Sequence, residues 1–220
     1  MKKVLPYIAL AVLMFVAFHT PRVGAYPKPS VNKVAWELDF THGAPTRITV
    51  KTPGGDAPQA FWYMTFKVTN NTTDEREFLP VIELVDDKGN VHRSDQNISA
   101  TVFDAIKQQE GSRFLEPLAK ASGRLLQGPE QARDSVAIWP EPLERMGSFT
   151  IFVNGLSGEA VFYKDGKETP FDKVDWTKTK PDEAGIILRK TLELDYQVPG
   201  DEFYQGRDPV IKKDERWVMR

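Results

Sequence analysis

The sequence predicts a mainly β protein, an antiparallel two-sheet sandwich with one short helix and long loops. Three observations carry that prediction. Residues 60–71 alternate with period two, with Trp62, Met64, Phe66 and Val68 on one side and Phe61, Tyr63, Thr65, Lys67 and Thr69 on the other. Such alternation in a run rich in aromatic and β-branched residues marks a strand, here a central one. Similar short runs recur along the chain, separated at fairly even spacing by clusters of Gly, Pro, Asn and Asp. Only residues 101–110 carry a helical period with end signals.

The first 25 residues stand apart from the fold. Met1, Lys2 and Lys3 make a basic start, residues 4–18 are an apolar run, and Val23, Gly24 and Ala25 supply the small or modest side chains of a signal-peptidase site. The run has 15 residues, short of the roughly 20 that cross a bilayer, so cleavage after Ala25 is expected rather than a retained anchor. The expected domains are a signal peptide over 1–25, a β-sandwich over 26–200 and a tail over 201–220 that docks back on it. The exported product is expected in the periplasm or outside the cell, with no membrane span after cleavage.

The remaining chain predicts its elements in order. Residues 34–41 place Val34, Trp36, Leu38 and Phe40 on one side and Ala35, Glu37, Asp39 and Thr41 on the other, a half-buried strand. After His42-Gly43-Ala44-Pro45, Ile48 and Val50 mark a shorter strand, and residues 52–58 form a Pro/Gly loop. Beyond the 60–71 strand and its polar Asn70-Asn71-Thr72-Thr73-Asp74 turn, residues 78–85 read as one strand. Pro80, lacking a backbone donor, should sit at its edge or at a bulge. Residues 86–90 make a hairpin turn, with Val91 to Arg93 returning. In the helix of residues 101–110, Val102, Phe103 and Ile106 share a face, Thr101 caps and Gly111 ends. Residues 123–127, 135–139, 148–154 and 160–164 are further strands, the last running into Asp165-Gly166. Residues 165–185 make a charged connection whose Phe171, Val174 and Trp176 argue that it is pinned down. Residues 186–198 form a long strand whose apolar side is interrupted only by Lys190. The tail ends Arg-Trp-Val-Met-Arg, and Trp217 would be costly on a free end, so docking is expected.

Eight to ten strands at this spacing favour an immunoglobulin-like sandwich over a closed barrel. The run from Trp62-Tyr63 to Val68-Thr69-Asn70, the Asp-Lys-Gly turn, Ser122-Gly123-Arg124-Leu125-Leu126 and Val136-Ala137-Ile138 resemble immunoglobulin-like domains of exported bacterial proteins. From about Trp62 to the end, through residues 133–140 and Asn154-Gly155-Leu156-Ser157-Gly158, the chain is similar to uncharacterised secreted proteins of planctomycete-type bacteria. Neither resemblance implies an activity or a site.

Composition narrows the chemistry. Removing Lys2, Lys3 and Arg22, and no acids, takes the balance from 29 basic against 31 acidic residues to 26 against 31. An acidic chain does not advertise nucleic-acid binding. Without cysteine there is no disulfide, thiolate metal site or thiol catalysis. The segment Gly155-Leu156-Ser157-Gly158-Glu159 lacks the second glycine of a nucleophile elbow, and a strand, not a helix, follows it. His42 and His92 are isolated in turn regions, away from metal-ligand spacing. The carboxylate pairs Asp86 with Asp87, Glu141 with Glu144 and Asp201 with Glu202 read as solvated turns, and Asp86, Asp87 and Asn90 lack the regular oxygen spacing of a calcium loop. No phosphate-binding glycine loop is present, and the sequons at Asn70, Asn71 and Asn97 read as ordinary turn residues.

Aromatic residues give the better signal. Phe61 and Tyr63, opposite the core side of their strand, are either covered by the helix or the long loop, or form a platform for sugar rings or a partner's apolar side chain. With Trp176 they are the candidate binding surface. The expected function is a non-catalytic exported interaction or cell-envelope domain without cofactors, its partner another envelope protein or a polysaccharide. The second reading is a carbohydrate-binding module using exposed aromatic residues.

Overall fold

The computed structural model describes residues 26–142, 147–178, 185–199 and 209–220. The signal-peptide expectation over 1–25 lies outside them, as do Glu144, Asp201 and Glu202. In chain order the strands begin with β1 (Asp39–His42), β2 (Thr46–Val50), β3 (Gln59–Thr69), β4 (Arg76–Phe78), β5 (Val81–Asp86) and β6 (Val91–Arg93). Helix α1 (Ala100–Glu110), β7 (Glu116–Pro117), helix α2 (Leu118–Ala121), β8 (Gly123–Leu125) and β9 (Arg133–Pro140) follow. The chain closes with β10 (Ser148–Asn154), β11 (Ala160–Lys164), β12 (Lys167–Pro170), β13 (Ile186–Gln197) and β14 (Ile211–Met219).

The protein is mainly β, and nearly all strand pairs are antiparallel. One sheet holds β1, β2, β3, β9 and β7; a second holds β12, β11, β13, β14, β10, β5 and β6. The inward residues of both meet in one core, where Trp62, Met64, Phe66 and Val68 of β3 join Ile82 and Leu84 of β5, Phe149, Ile151 and Val153 of β10, and Leu192 and Leu194 of β13. The period-two pattern therefore assigned the core face of β3 correctly. Trp62 also pairs in register with Trp139 of β9, and its indole N–H donates to the Glu141 carboxylate, which Arg47 holds with two hydrogen bonds.

The other face of β3 is covered as well. Val102 and Ile106 of α1 pack with Phe61, Tyr63, Val136 and Ile138 into a second apolar cluster. That explains why residues 61–64 are apolar on both sides: the half of β3 beneath α1 needs two dry faces, and beyond it Lys67 turns outward. Ser99, rather than Thr101, precedes the first helical turn, and Gly111, at φ +62°, ends the helix in the left-handed conformation expected of glycine. The expectation of one helix misses α2, a single turn with too few residues to show a period.

Two expected strands are divided. Residues 78–85 split at Leu79-Pro80: β4 pairs with β8 in a small separate sheet, and β5 joins the second sheet beside β10. Pro80 lies in the break, because it cannot donate to either ladder. In residues 34–41, only Asp39 onward pairs with β3. Before that, Leu38 N–H donates to the Leu156 carbonyl and Gly158 N–H to that of Trp36, so residues 36–38 belong to the far side of the core.

The described part of the long connection, residues 165–178, is pinned, as its apolar residues required. It folds back as β12 against β11 through Asp165 and Gly166, both at positive φ, and Trp176 packs between Phe162 and Phe171. Within the tail, residues 211–219 form a strand on β13. β10 and β11 share one edge of β13, and β14 takes the other, with Arg220 exchanging two backbone hydrogen bonds with Arg189.

Candidate functional site

The aromatic candidates do not form an open surface. Phe61 is 4% exposed and Tyr63 1%, so neither offers a ring face for stacking. The Tyr63 hydroxyl donates to Glu110 at 2.7 Å and accepts from Gln109 at 2.9 Å, both on α1. Burial, and then the Glu110 carboxylate, push its phenol above its ordinary value. Trp176 is half-buried between two Phe rings and holds the connection to β11. These residues correct the platform reading: helix cover and loop packing already use their apolar surface.

The hairpin turn likewise has its own use for its carboxylate. Asp86 Oδ1 accepts from the backbone N–H groups of Lys88 and Asn90, and Oδ2 from the Asn90 side chain. Burial works to raise this carboxyl, but the hydrogen bonds, from Asn90 foremost, outweigh it and hold it at about 2. Ser157 accepts the Glu159 N–H within its turn. Among the described residues no group of three His, Cys, Asp or Glu side chains is placed to hold a metal ion, and no helix is long and apolar enough to cross a membrane.

The structure instead concentrates buried charge at the β13 edge of the core. Lys190, the exception on the apolar side of its strand, is 5% exposed. Its Nζ lies 2.5 Å from Glu37 Oε1 and 3.3 Å from Glu159 Oε2. Glu159 is as deeply buried and accepts the Ser30 N–H at 2.7 Å, while the exposed Lys33 sits 3.6 Å from Glu37. The ammonium also lies 5.1 Å from the centre of the Trp217 ring, on β14. Three distant stretches thus meet: the N-terminal lead-in, the turn before β11, and the paired β13 and β14.

Local sequence builds this meeting point. Gly158 approaches Trp36 so closely that an added Cβ would overlap the indole, and Glu37 bridges Ser157. The Gly155 to Glu159 segment is therefore a turn that delivers Glu159 to Lys190, and its glycines serve packing. Burying one ammonium with two carboxylates is seldom the cheapest way to fill a core, since desolvation offsets most of the attraction.

Beside the cluster opens a cavity of about 910 Å³, bounded by Tyr26, Pro27, Glu37, Phe152, Lys190 and Trp217, among others. Arg216 and Arg220 also border it. Arg216 pairs with Glu193, Asp195 and Asp214, and Arg220 bonds Glu83 at 2.6 Å while lying over the Phe152 ring. Burial raises the Glu193 carboxyl, and Arg216 works against it. The cavity thus combines aromatic walls with fixed cation and carboxylate pairs, a set suited to holding a polar ligand with apolar faces.

Sequence reasoning missed this site, although Lys190 carried a signal as the one charge on an otherwise apolar strand face. Glu37 read as an outward residue, and Glu159 only as the residue that spoils a nucleophile elbow. Comparison with protein-family models, with curated proteins and with solved structures gave no match.

Proposed function

We propose that the protein is an exported, non-catalytic binding domain with an immunoglobulin-like arrangement, which takes its ligand from the cell envelope at the cavity beside Lys190. The observation that carries the site is the buried Lys190, Glu37 and Glu159 cluster at the margin of an open cavity of about 910 Å³. An ionic cluster costs stability that an apolar filling would not, and an adjoining ligand space gives it a use. Two mainly antiparallel sheets around one core support the immunoglobulin-like arrangement. The basic start and apolar run of residues 1–25 support export, and the envelope as the source of the partner.

The test places a photo-crosslinking residue at Val31, fully exposed on the cavity rim, or at Lys120 on α2, away from it. Each variant is expressed in the source cell and irradiated. A discrete adduct from position 31 and none from position 120 is the expected result. Equal labelling from both positions, or none from position 31, overturns the placement of the site.

A further inference from the structure

Resting on that placement of the site, we infer that the ligand class is a neutral oligosaccharide. The charges around the cavity argue first. Lys33 and Lys190 face Glu37, and Arg216 and Arg220 face Glu193 and Glu83. Each of these four cations already has a carboxylate beside it, and Lys28, the fifth cation of the lining, is exposed to water; at the four paired sites an anion competes with those carboxylates and a second cation competes with the ammonium and guanidinium groups. A ligand without net charge leaves every pair intact.

The same pairs suit hydroxyl groups. Lys190 and Glu37 both border the cavity and stand 2.5 Å apart. One can only donate and the other, ionised, can only accept, whereas a hydroxyl does both. Neighbouring hydroxyls on a sugar ring can therefore accept from Lys190 and donate to Glu37, and Arg216 beside Glu193 offers the same combination again. Trp217 and the exposed Tyr26 ring supply flat apolar surface for the C–H faces of such a ligand. The volume lies at the upper end of the roughly 300–1,000 Å³ of small-ligand sites, enough for a short oligomer.

Two other ligand types fit less well. An acyl chain would cover Glu37 and Lys190 with methylene groups that satisfy neither. An extended peptide would pair with a free strand edge, and among the described residues β14 has β13 as its only strand partner. The outward course of β14 carries exposed Lys212, Lys213, Asp214 and Glu215, a charged edge of the kind that resists strand addition.

Titration of the purified exported chain, followed by tryptophan fluorescence and calorimetry, tests the inference. The probes are tetrasaccharides of β-1,4-glucose, α-1,4-glucose, β-1,4-mannose and β-1,4-N-acetylglucosamine, each at up to about 10 mM. Galacturonic acid and glucosamine tetramers serve as charged controls, and an extended uncharged peptide as the peptide control. The expected result is saturable binding of at least one neutral tetrasaccharide, weakened at least about tenfold by Trp217→Leu and by Glu37→Gln. Tyr26→Ala, a rim change that leaves the core intact, gives a smaller loss and guards against misfolding of the other two. Binding of no neutral tetrasaccharide, or tighter binding of a charged oligomer or the peptide, overturns the inference. If such a failure accompanies a discrete Val31 adduct, the site stands and only the ligand class falls. Saccharide binding unaffected by all three substitutions instead overturns the site.

Discussion

Beneath α1, Phe61 and Tyr63 are 4% and 1% exposed, and of these two side chains only the Tyr63 hydroxyl needs a partner; at the β13 edge, Lys190 is 5% exposed and brings two carboxylates with it. The depth of burial is nearly the same, yet the two regions do different physical work. The cover beneath α1 removes apolar surface from water. The Lys190 corner keeps charge, borders a cavity of about 910 Å³ and is closed by the chain's N-terminal lead-in. The difference teaches that burial alone does not mark a residue as mere filling: what matters is which groups a buried side chain requires around it.

The comparison breaks most sharply at Lys190. Lys190→Ala leaves Glu37 and Glu159 without their shared cation and should cost about 3–5 kcal/mol in urea unfolding. The combined change Lys190→Met, Glu37→Leu and Glu159→Gln should recover most of that loss, since a filled apolar site replaces the charges and the amide oxygen introduced at position 159 can still accept from Ser30. A triple variant no more stable than Lys190→Ala would show that the cluster is needed for the fold itself.

On the covered side, Ile106→Ala should cost about 3 kcal/mol by opening a cavity between α1 and the first sheet, read from the same unfolding curves. It should leave ligand binding at the Lys190 corner unchanged. Coupled loss of both would erase the distinction between the two regions.

Asp95 provides a third, smaller effect on the covered side, where its N–H donates to the Ile138 carbonyl of β9. Burial pushes its carboxyl up to about 6, against a hydrogen bond from Ser94, and Oδ2 has no hydrogen-bond partner. A folded-state value above the unfolded one of 3.8 means that the folded protein binds the extra proton. The resulting stabilisation is complete below about 3.8 and is lost as pH rises through about 6. Asp95→Asn should therefore raise stability at pH 7 by about 2 kcal/mol and reduce the fall in stability between about pH 4 and 6. Asn also tolerates the φ of +60° found there. An unchanged pH profile would remove Asp95 as the cause.

The smallest expected effect is at Tyr63. Tyr63→Phe keeps the ring and deletes the hydroxyl held by Glu110 and Gln109, which should cost about 1 kcal/mol. Retained stability would mean that water serves those two side chains equally well.

Much of the fold was legible because strands write their burial into alternate residues. The alternation of Trp62, Met64, Phe66 and Val68 named the core face of β3, and Ser148–Asn154 and Ala160–Lys164 have the ends that pattern assigned. Trp217 raised the expectation of a docked tail; residues 211–219 pair with β13 as a strand, and nothing local indicated that form of contact. The candidate site was legible only as an anomaly at Lys190. Its partner Glu37 lies 153 positions away, and no spacing rule connects residues at that separation.

The sequence by itself determined the β class, the core face of the central strand, the turn positions and the existence of the helix, since each follows from side chains acting within a few residues of one another. Tertiary structure alone decided that α1 covers Phe61 and Tyr63, that Pro80 separates strands of two sheets, and that Lys190 meets Glu37 and Glu159. Those outcomes depend on which distant surfaces and charges are brought together, and only the folded chain sets those distances.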